Sequence, residues 1–339
     1  VLKFALAGLS CALLTVIAGC VERAESIDVQ PDGSAAVTIQ YTADSDQELA
    51  DVATPAAAEG WKIDKSVREE KDGSKKSILT ATRTVAAGQV WPIHDGPANA
   101  ADTALQLQFA TSLRVEKRGD GNSYTFQRTF EPRSWAQWNH IEDRDANDQI
   151  GKTLKEKNNQ LSDEDWSDII RQQIDQQVGR KLDIVHAALS KAVPDAPLDR
   201  WLGVRADVIA VGKNIDVTPL VQLLETAQSP ERDKSIAQAG QDTDAKIDAA
   251  VRAALAAQGY NPQQLAAFDK ASDTINRDIQ ITKQIEGESF VVRLHLPGQV
   301  VGSNATTQEE DGTLEWRFSG KQLMDRRIEL LAVSKAGLP

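Results

Sequence analysis

The chain has 339 residues, 41% of them hydrophobic and 5% aromatic, and its 38 Lys+Arg against 50 Asp+Glu give a formal net charge of -12. Bases alternate with acids along the whole length, so there is no clustered cationic surface for a phosphate backbone, which argues against a nucleic-acid partner and against broad electrostatic adhesion to anionic lipid. The rest is an ordinary globular composition, enough for one or two domains with an adequate core.

The first segment is basic at Lys3, then apolar, and ends Leu14-Thr15-Val16-Ile17-Ala18-Gly19-Cys20. A short cationic start, an apolar stretch and small residues at its end are the architecture of an export signal. Ile17-Ala18-Gly19-Cys20 resembles the lipobox of bacterial lipoproteins. The resemblance implies that residues 1–19 form a cleaved lipoprotein signal peptide, with Ile17, Ala18 and Gly19 read by the signal peptidase, and that the Cys20 sulfur carries a diacylglycerol. Ala18 and Gly19 suit a narrow peptidase site, and a thiol is nucleophilic enough to form the thioether. The competing reading is an uncleaved membrane span, for which Leu2 to Gly19 is barely long enough against the roughly 20 residues required. The only cysteines are Cys11 and Cys20, and the resemblance implies that the first leaves with the signal and the second is acylated, so no free thiol and no disulfide are expected in the mature chain. The expected location is exported and lipid-anchored at the cell envelope. Val21 instead of Asp after the cysteine suits the outer membrane if the cell is Gram-negative.

From 20 to 132 the pattern is β-rich. Three period-2 segments fold back across Gly-containing turns, the signature of antiparallel hairpins. Ile27 and Val29 face Val37, Ile39 and Tyr41 across Pro31-Asp32-Gly33-Ser34; Trp61, Ile63 and Val67 face Ile78 across Asp72-Gly73-Ser74; Leu113 and Val115 face Tyr124, Phe126 and Phe130 across Gly119-Asp120-Gly121-Asn122. A short Ala-rich helix is expected over Asp46 to Glu59, ending at Gly60.

Residues 133–275 read as helical. Ser162 is a candidate N-cap with Asp165 three residues on, and Trp166, Ile170, Ile174, Val178, Leu182, Val185 and Leu189 recur at helical spacing until Pro194. Thr218-Pro219 and Ser229-Pro230 each place a cap residue before a first-turn proline. A helix through Ile247, Val251 and Leu255 stops at Gly259, and Asn261-Pro262 opens another through Leu265 and Phe268. Residues 276–339 are expected to return to strands: Ile279, Ile281 and Ile285; Phe290 to Leu296; Trp316 and Phe318; Ile328, Leu330 and Ala332. The expected fold class is therefore α+β, an antiparallel hairpin sheet formed by the N- and C-terminal segments, with the C-terminal β segment completing the first sheet and a large central helical insertion.

Motifs with catalytic or ligand chemistry are sparse. Ala146-Asn147-Asp148-Gln149-Ile150-Gly151-Lys152-Thr153 matches a phosphate loop only loosely, and the polar, acidic stretch before it is no buried strand. Asp143 to Ile150 starts like a calcium loop but puts Asp148 where glycine is needed and Leu154 where a bidentate Glu belongs. His94, His140, His186 and His295 have no metal-ligand spacing, so no metal and no cofactor are expected. The acids Asp163, Glu164, Asp165 and Asp168 are explained by the dipole of a helix start. No residue is expected to be catalytic. Trp135 and Trp138 are the densest aromatic pair, and form either core or an amphipathic rim for a ligand or partner.

Ser26-Ile27-Asp28-Val29-Gln30-Pro31-Asp32-Gly33-Ser34-Ala35-Ala36-Val37 is similar to the opening strand and turn of the LppM-like bacterial lipoproteins. Leu296-Pro297-Gly298-Gln299-Val300-Val301-Gly302-Ser303-Asn304, with Leu314-Glu315-Trp316-Arg317-Phe318 after an Asp311-Gly312 turn, resembles that group's PG-x-V…N…W segment. The resemblance covers a minor part of the chain. It implies an envelope lipoprotein with a β-rich domain for lipid or glycolipid binding. The expected function is thus a lipid-anchored, non-enzymatic envelope protein with an apolar groove for a lipid or glycolipid. A structural module tethering other envelope proteins, and an envelope hydrolase built from carboxylates or histidines remote in sequence, are the second and third expectations.

Overall fold

A computed structural model describes residues 21–96, 105–119, 121–133, 156, 161–225 and 229–337. Cys20 with Ile17, Ala18 and Gly19, the pair Trp135 and Trp138, His140 and the stretch 143–154 lie outside the described residues. The chain divides into a β unit, within 18–136 and 278–339, and a helical unit within 137–277. Both helices and sheets are present, and the strands come from the two ends of the chain around a central helical region, so the class is α+β.

In the β unit, β1 (Glu22–Val29), β2 (Ala35–Ala43), β3 (Lys62–Glu69) and β4 (Lys75–Val85) come from the first part of the chain, followed by β5 (Phe109–Arg118) and β6 (Gly121–Phe130). The last part contributes β7 (Ser289–His295), β8 (Gln299–Ser303), the two-residue β9 (Thr307–Gln308), β10 (Leu314–Ser319) and β11 (Ile328–Gly337). A short helix α1 (Asp46–Asp51), capped by Ser45, and a 3-10 turn at Ala57–Glu59 replace the single helix expected over this stretch. Pro55 splits it, since proline offers no amide to a helical ladder.

The expectation of one antiparallel sheet is corrected twice. There are two sheets, one ordered β3-β4-β2-β1-β7-β10-β9 and the other β5-β6-β11-β8, and each draws strands from both ends of the chain. The larger is mixed, because β1 pairs with β7 in parallel, Arg23 opposite Phe290 and Ile27 opposite Leu294. A hairpin turn sets antiparallel pairing locally, whereas a partner more than 250 residues away is chosen by which strand completes the buried face.

The three hairpins form as expected, with Ile27 opposite Val37, Ile63 opposite Ala81 and Leu113 opposite Phe126. The turn at Asp32 shows why this chemistry is legible. Asp32 accepts bonds from the amide and hydroxyl of Ser34, while Gly33 adopts φ +86°, a conformation that costs other residues strain. The same Asp bonding recurs at Asp72 with Ser74. The second hairpin departs in burial: β3 is the edge strand, and Val67 is 61% exposed.

Phe130 of the smaller sheet packs on Phe318 and Phe290 of the larger, at ring-centre distances of 5.1 and 6.4 Å, and Phe290 stacks on Phe318. The two sheets therefore share one aromatic core. The PG-x-V…N…W residues tie it together from outside. Asn304 accepts bonds from the Trp316 indole and the Leu331 amide and donates to Glu329, linking β10 to β11, and Ser334 donates to the Pro297 carbonyl.

The helical unit contains α2 (Asp163–Ala192), α3 (Leu198–Lys213), α4 (Thr218–Glu225), α5 (Pro230–Ala257) and the first part of α6 (Pro262–Gly287). α2 opens on a capping box in which Ser162 and Asp165 bond each other's amides, and it buries all seven apolar residues named from its spacing. α3 has no side-chain cap and starts after Pro197; Gly212, near its end, lets it approach α2, because a Cβ there would lie 2.7 Å from Val178. The strand expected through Ile279, Ile281 and Ile285 is instead the end of α6. Phe268, Ser272, Ile275, Ile279, Thr282 and Ile285 are its buried residues, a helical spacing of three and four. No described helix is long and apolar enough to cross a membrane.

Candidate functional site

On β1 the inward-facing residues are Arg23, Glu25, Ile27 and Val29, so two charges occupy a phase that alternation reserves for apolar side chains. Arg128 does the same on β6 between Phe126 and Phe130. Arg23 and Arg128 are each 1% exposed and Glu25 3%. Burial at this level demands pairing. One Glu25 oxygen accepts from Arg23, at 3.0 Å, and from Arg128, whose remaining bond goes to Thr111 at 2.7 Å. Phe109 covers both guanidiniums, its ring centre 5.7 Å from Arg23 and 5.0 Å from Arg128.

Arg23 reaches further, to Asp95 in the loop after β4. It grips that carboxylate through both Nε and Nη2, and Tyr41 of β2 donates to the same group at 2.5 Å. Burial opposes the charge on Arg23, but Asp95 and Glu25 outweigh it and hold the guanidinium firmly protonated. Burial likewise opposes the charge on Glu25, and Arg128 with Arg23 outweighs it, keeping the carboxyl below its ordinary range. For Tyr41, burial and then Asp95 push the phenol up, against a smaller pull from Arg23.

Beyond Asp95 the network opens into a cavity of about 240 Å³, lined by Tyr41, Asp95, Gln106, Gln284, Glu288 and Phe290 with Val52, Ala53, Leu107, Ile281 and Ile285. Glu288 occupies the junction of α6 and β7, fixed by its carbonyl accepting from Gly320 at 2.8 Å. Its carboxyl is pushed up to about 8 by burial and by the Asp95 charge, with Arg23 offsetting part of this. At neutral pH it is largely an uncharged acid. Gln106, 7% exposed, has a buried carbonyl oxygen with no partner among the described residues. Gly96 makes room for it, since a Cβ there would lie 2.4 Å from the Gln106 amide nitrogen. Arg133 places this segment: it donates to the carbonyls of Leu105 and Gln106 and to Asp278 and Thr282 on α6, at 2.6 and 2.8 Å for the latter pair.

The cavity differs from the apolar groove expected of the sequence. Its wall mixes apolar side chains, among them Val52, Leu107, Ile281 and Ile285, with polar ones, and its volume falls below the range of about 300–1,000 Å³ typical of drug-sized ligands. It has room for a sugar or a lipid head group, not for an acyl chain as well. None of Arg23, Glu25, Asp95, Gln106, Arg128 or Glu288 is read from the sequence as a site residue, and Tyr41 is read there only as an inward residue of the first hairpin. The one available signal was a charge on an apolar strand phase, at Arg23, Glu25 and Arg128. Asp95, Gln106 and Glu288 lie in loops or junctions and carry no pattern.

The described histidines stay apart. His94 is buried with Nδ1 unpartnered among the described residues, His186 is exposed and stacks on Trp201 at 4.9 Å, and His295 is exposed beside Asp28. No group of three or more His, Cys, Asp or Glu suited to a metal occurs among the described residues. No family model matches the chain, and no curated protein or solved structure matches it either.

Proposed function

We propose that this chain is a lipid-anchored protein of the bacterial cell envelope, held through Cys20, whose β unit binds the polar end of a lipid or glycolipid in the Glu288 pocket. The anchor rests on the lipobox resemblance of Ile17 to Cys20, and several acyl chains would hold the protein far more firmly than one. The binding role rests on one observation: a cavity lined by Glu288, to which no ion pair occurs among the described residues, and by Gln106, whose buried carbonyl oxygen has no partner among them. A hydrolase with two working carboxyls is less well supported. Asp95 accepts three bonds from Arg23 and Tyr41, which leaves it a poor nucleophile or base and Glu288 without an acidic partner.

Mass spectrometry of the protein purified from bacterial membranes tests both parts. The expected results are an N-terminal peptide beginning at Cys20 with a diacylglycerol, lost in Cys20→Ala, and a co-purifying lipid released by Gln106→Leu. An unmodified Cys20, or no retained lipid in native spectra, overturns the corresponding part.

The tethering role has its own support in α3, where Leu198 is 67% and Leu202 52% exposed. Crosslinking from position 202 in cells is expected to capture an envelope protein if that reading holds, and lipid adducts alone would reject it.

A further inference from the structure

The pocket's hydrogen-bonding character is lopsided. Two guanidiniums, Arg23 and Arg128, are balanced by two carboxylates, Glu25 and Asp95, and every charged group of that set is bonded within it. The Tyr41 hydroxyl is spent on Asp95. Glu288 is the odd acid: no ion pair to it occurs among the described residues, and the charges facing it are Asp95 from the loop after β4 and Arg23 from β1, the latter already neutralised. From α6 it is faced by Gln284 and Ile285, and from the segment after residue 104 by Gln106, none of which carries charge. Among the described residues lining the cavity there is no cation to pair with Glu288.

We propose that this pocket selects a ligand bearing a primary ammonium group, as in an aminoethyl head group or an amino sugar, with the ammonium bound by the Glu288 carboxylate and by the Gln106 amide turned to present its oxygen to the cavity. Three N–H donors on one small cation match these acceptors, and the apolar wall of Ile281, Ile285 and Phe290 excludes bulky hydration. Binding balances as an exchange: the ligand enters as R–NH₃⁺, Glu288 gives its proton to solvent, and an ion pair replaces an uncharged acid. Affinity for an ammonium ligand therefore rises with pH toward about 8, the value at which Glu288 ionises unaided, and falls again as the amine itself loses its proton.

This inference rests on the pocket reading above, and the experiment separates the two. The full chain is titrated calorimetrically at pH 6.5, in two buffers of different ionisation enthalpy, with glucosamine and with glycerophosphoethanolamine. Glucose and glycerophosphoglycerol serve as their amine-free counterparts. One amine is expected to bind at least tenfold more tightly than its counterpart, with close to one proton released. Which amine does so tells the glycan source from the phospholipid source. Glu288→Gln is expected to abolish proton release and weaken binding tenfold or more. Gln106→Leu weakens binding while proton release persists, a readout that general damage to the fold would not produce. Equal binding of an amine and its counterpart without proton release overturns the ammonium assignment and leaves the pocket reading standing. Binding of none of the four overturns both.

Discussion

Glu25, 3% exposed, accepts from two guanidiniums that are as deeply buried, so its loss strands two buried cations. Breaking such a set by removing one partner costs about 3–5 kcal/mol. Glu25→Gln keeps the shape and removes the charge, and urea unfolding at pH 7 is expected to show a loss in that range. The pH dependence has a definite sign. Because the folded carboxyl titrates below its unfolded value, its stabilisation is complete above about pH 4.5 and disappears as pH falls through the lower folded value. Glu288 runs the other way. Its folded value, about 8, exceeds the unfolded 4.5, so the folded state binds more protons between them and loses stability as pH rises across that window. Glu288→Gln is expected to flatten this decline and to stabilise the unliganded protein at pH 8 by about 2 kcal/mol, allowing for solvent at the pocket mouth. A thermal-shift series from pH 5 to 8.5 checks it, and parallel slopes for the two proteins would contradict the assignment.

At the scale of elements, the chemistry within four residues decides most starts and turns. Ser162 and Asp165 form the capping box, and the Asp-Gly turns form where they are written. Ile279, Ile281 and Ile285 mislead because a three-residue alternation is compatible with either period; only the wider series from Phe268 to Ile285 shows the helix. Gly298, in the PG-x-V segment, marks a position where neighbours matter as much as backbone. It adopts φ +82°, and a Cβ would lie 2.2 Å from the Lys335 carbonyl oxygen. Gly298→Ala is expected to cost more than the roughly 1–2 kcal/mol of the left-handed conformation alone, because β8 must shift from β11 to admit the methyl group. Denaturant unfolding measures the loss. The alanine variant matching wild type would show that this loop moves at no cost.

The whole molecule has two units, each with a core of its own. The β unit depends on Arg23, Glu25 and Arg128 and on the Phe130, Phe290 and Phe318 cluster; the helical unit depends on α2, α3, α4 and α5 closing on one another. Scanning calorimetry is expected to resolve two transitions, one lowered by Glu25→Gln and the other by Gly212→Val, whose added side chain would strike Val178. A single transition shifted equally by both substitutions would mean that continuous α6 couples the units into one cooperative body. The topology carries the reason for two sheets. β7 enters beside β1 and β11 beside β6, so the last segment of chain closes both sheets opened by the first.

What the sequence determined by itself was local: the α+β class, three hairpins with their turns, and the helix starts at Ser162, Thr218, Ser229 and Asn261. These follow from interactions between residues two to four apart, whose energies are set before any tertiary contact forms. Only the tertiary structure decided the parallel pairing of β1 with β7, the split into two sheets, and the pocket. Arg128 reaches Glu25 across 103 positions and Arg23 reaches Asp95 across 72. No periodicity encodes such pairs, because a buried charge is tolerated wherever the fold brings its partner, and the position of that partner is a property of the packed molecule.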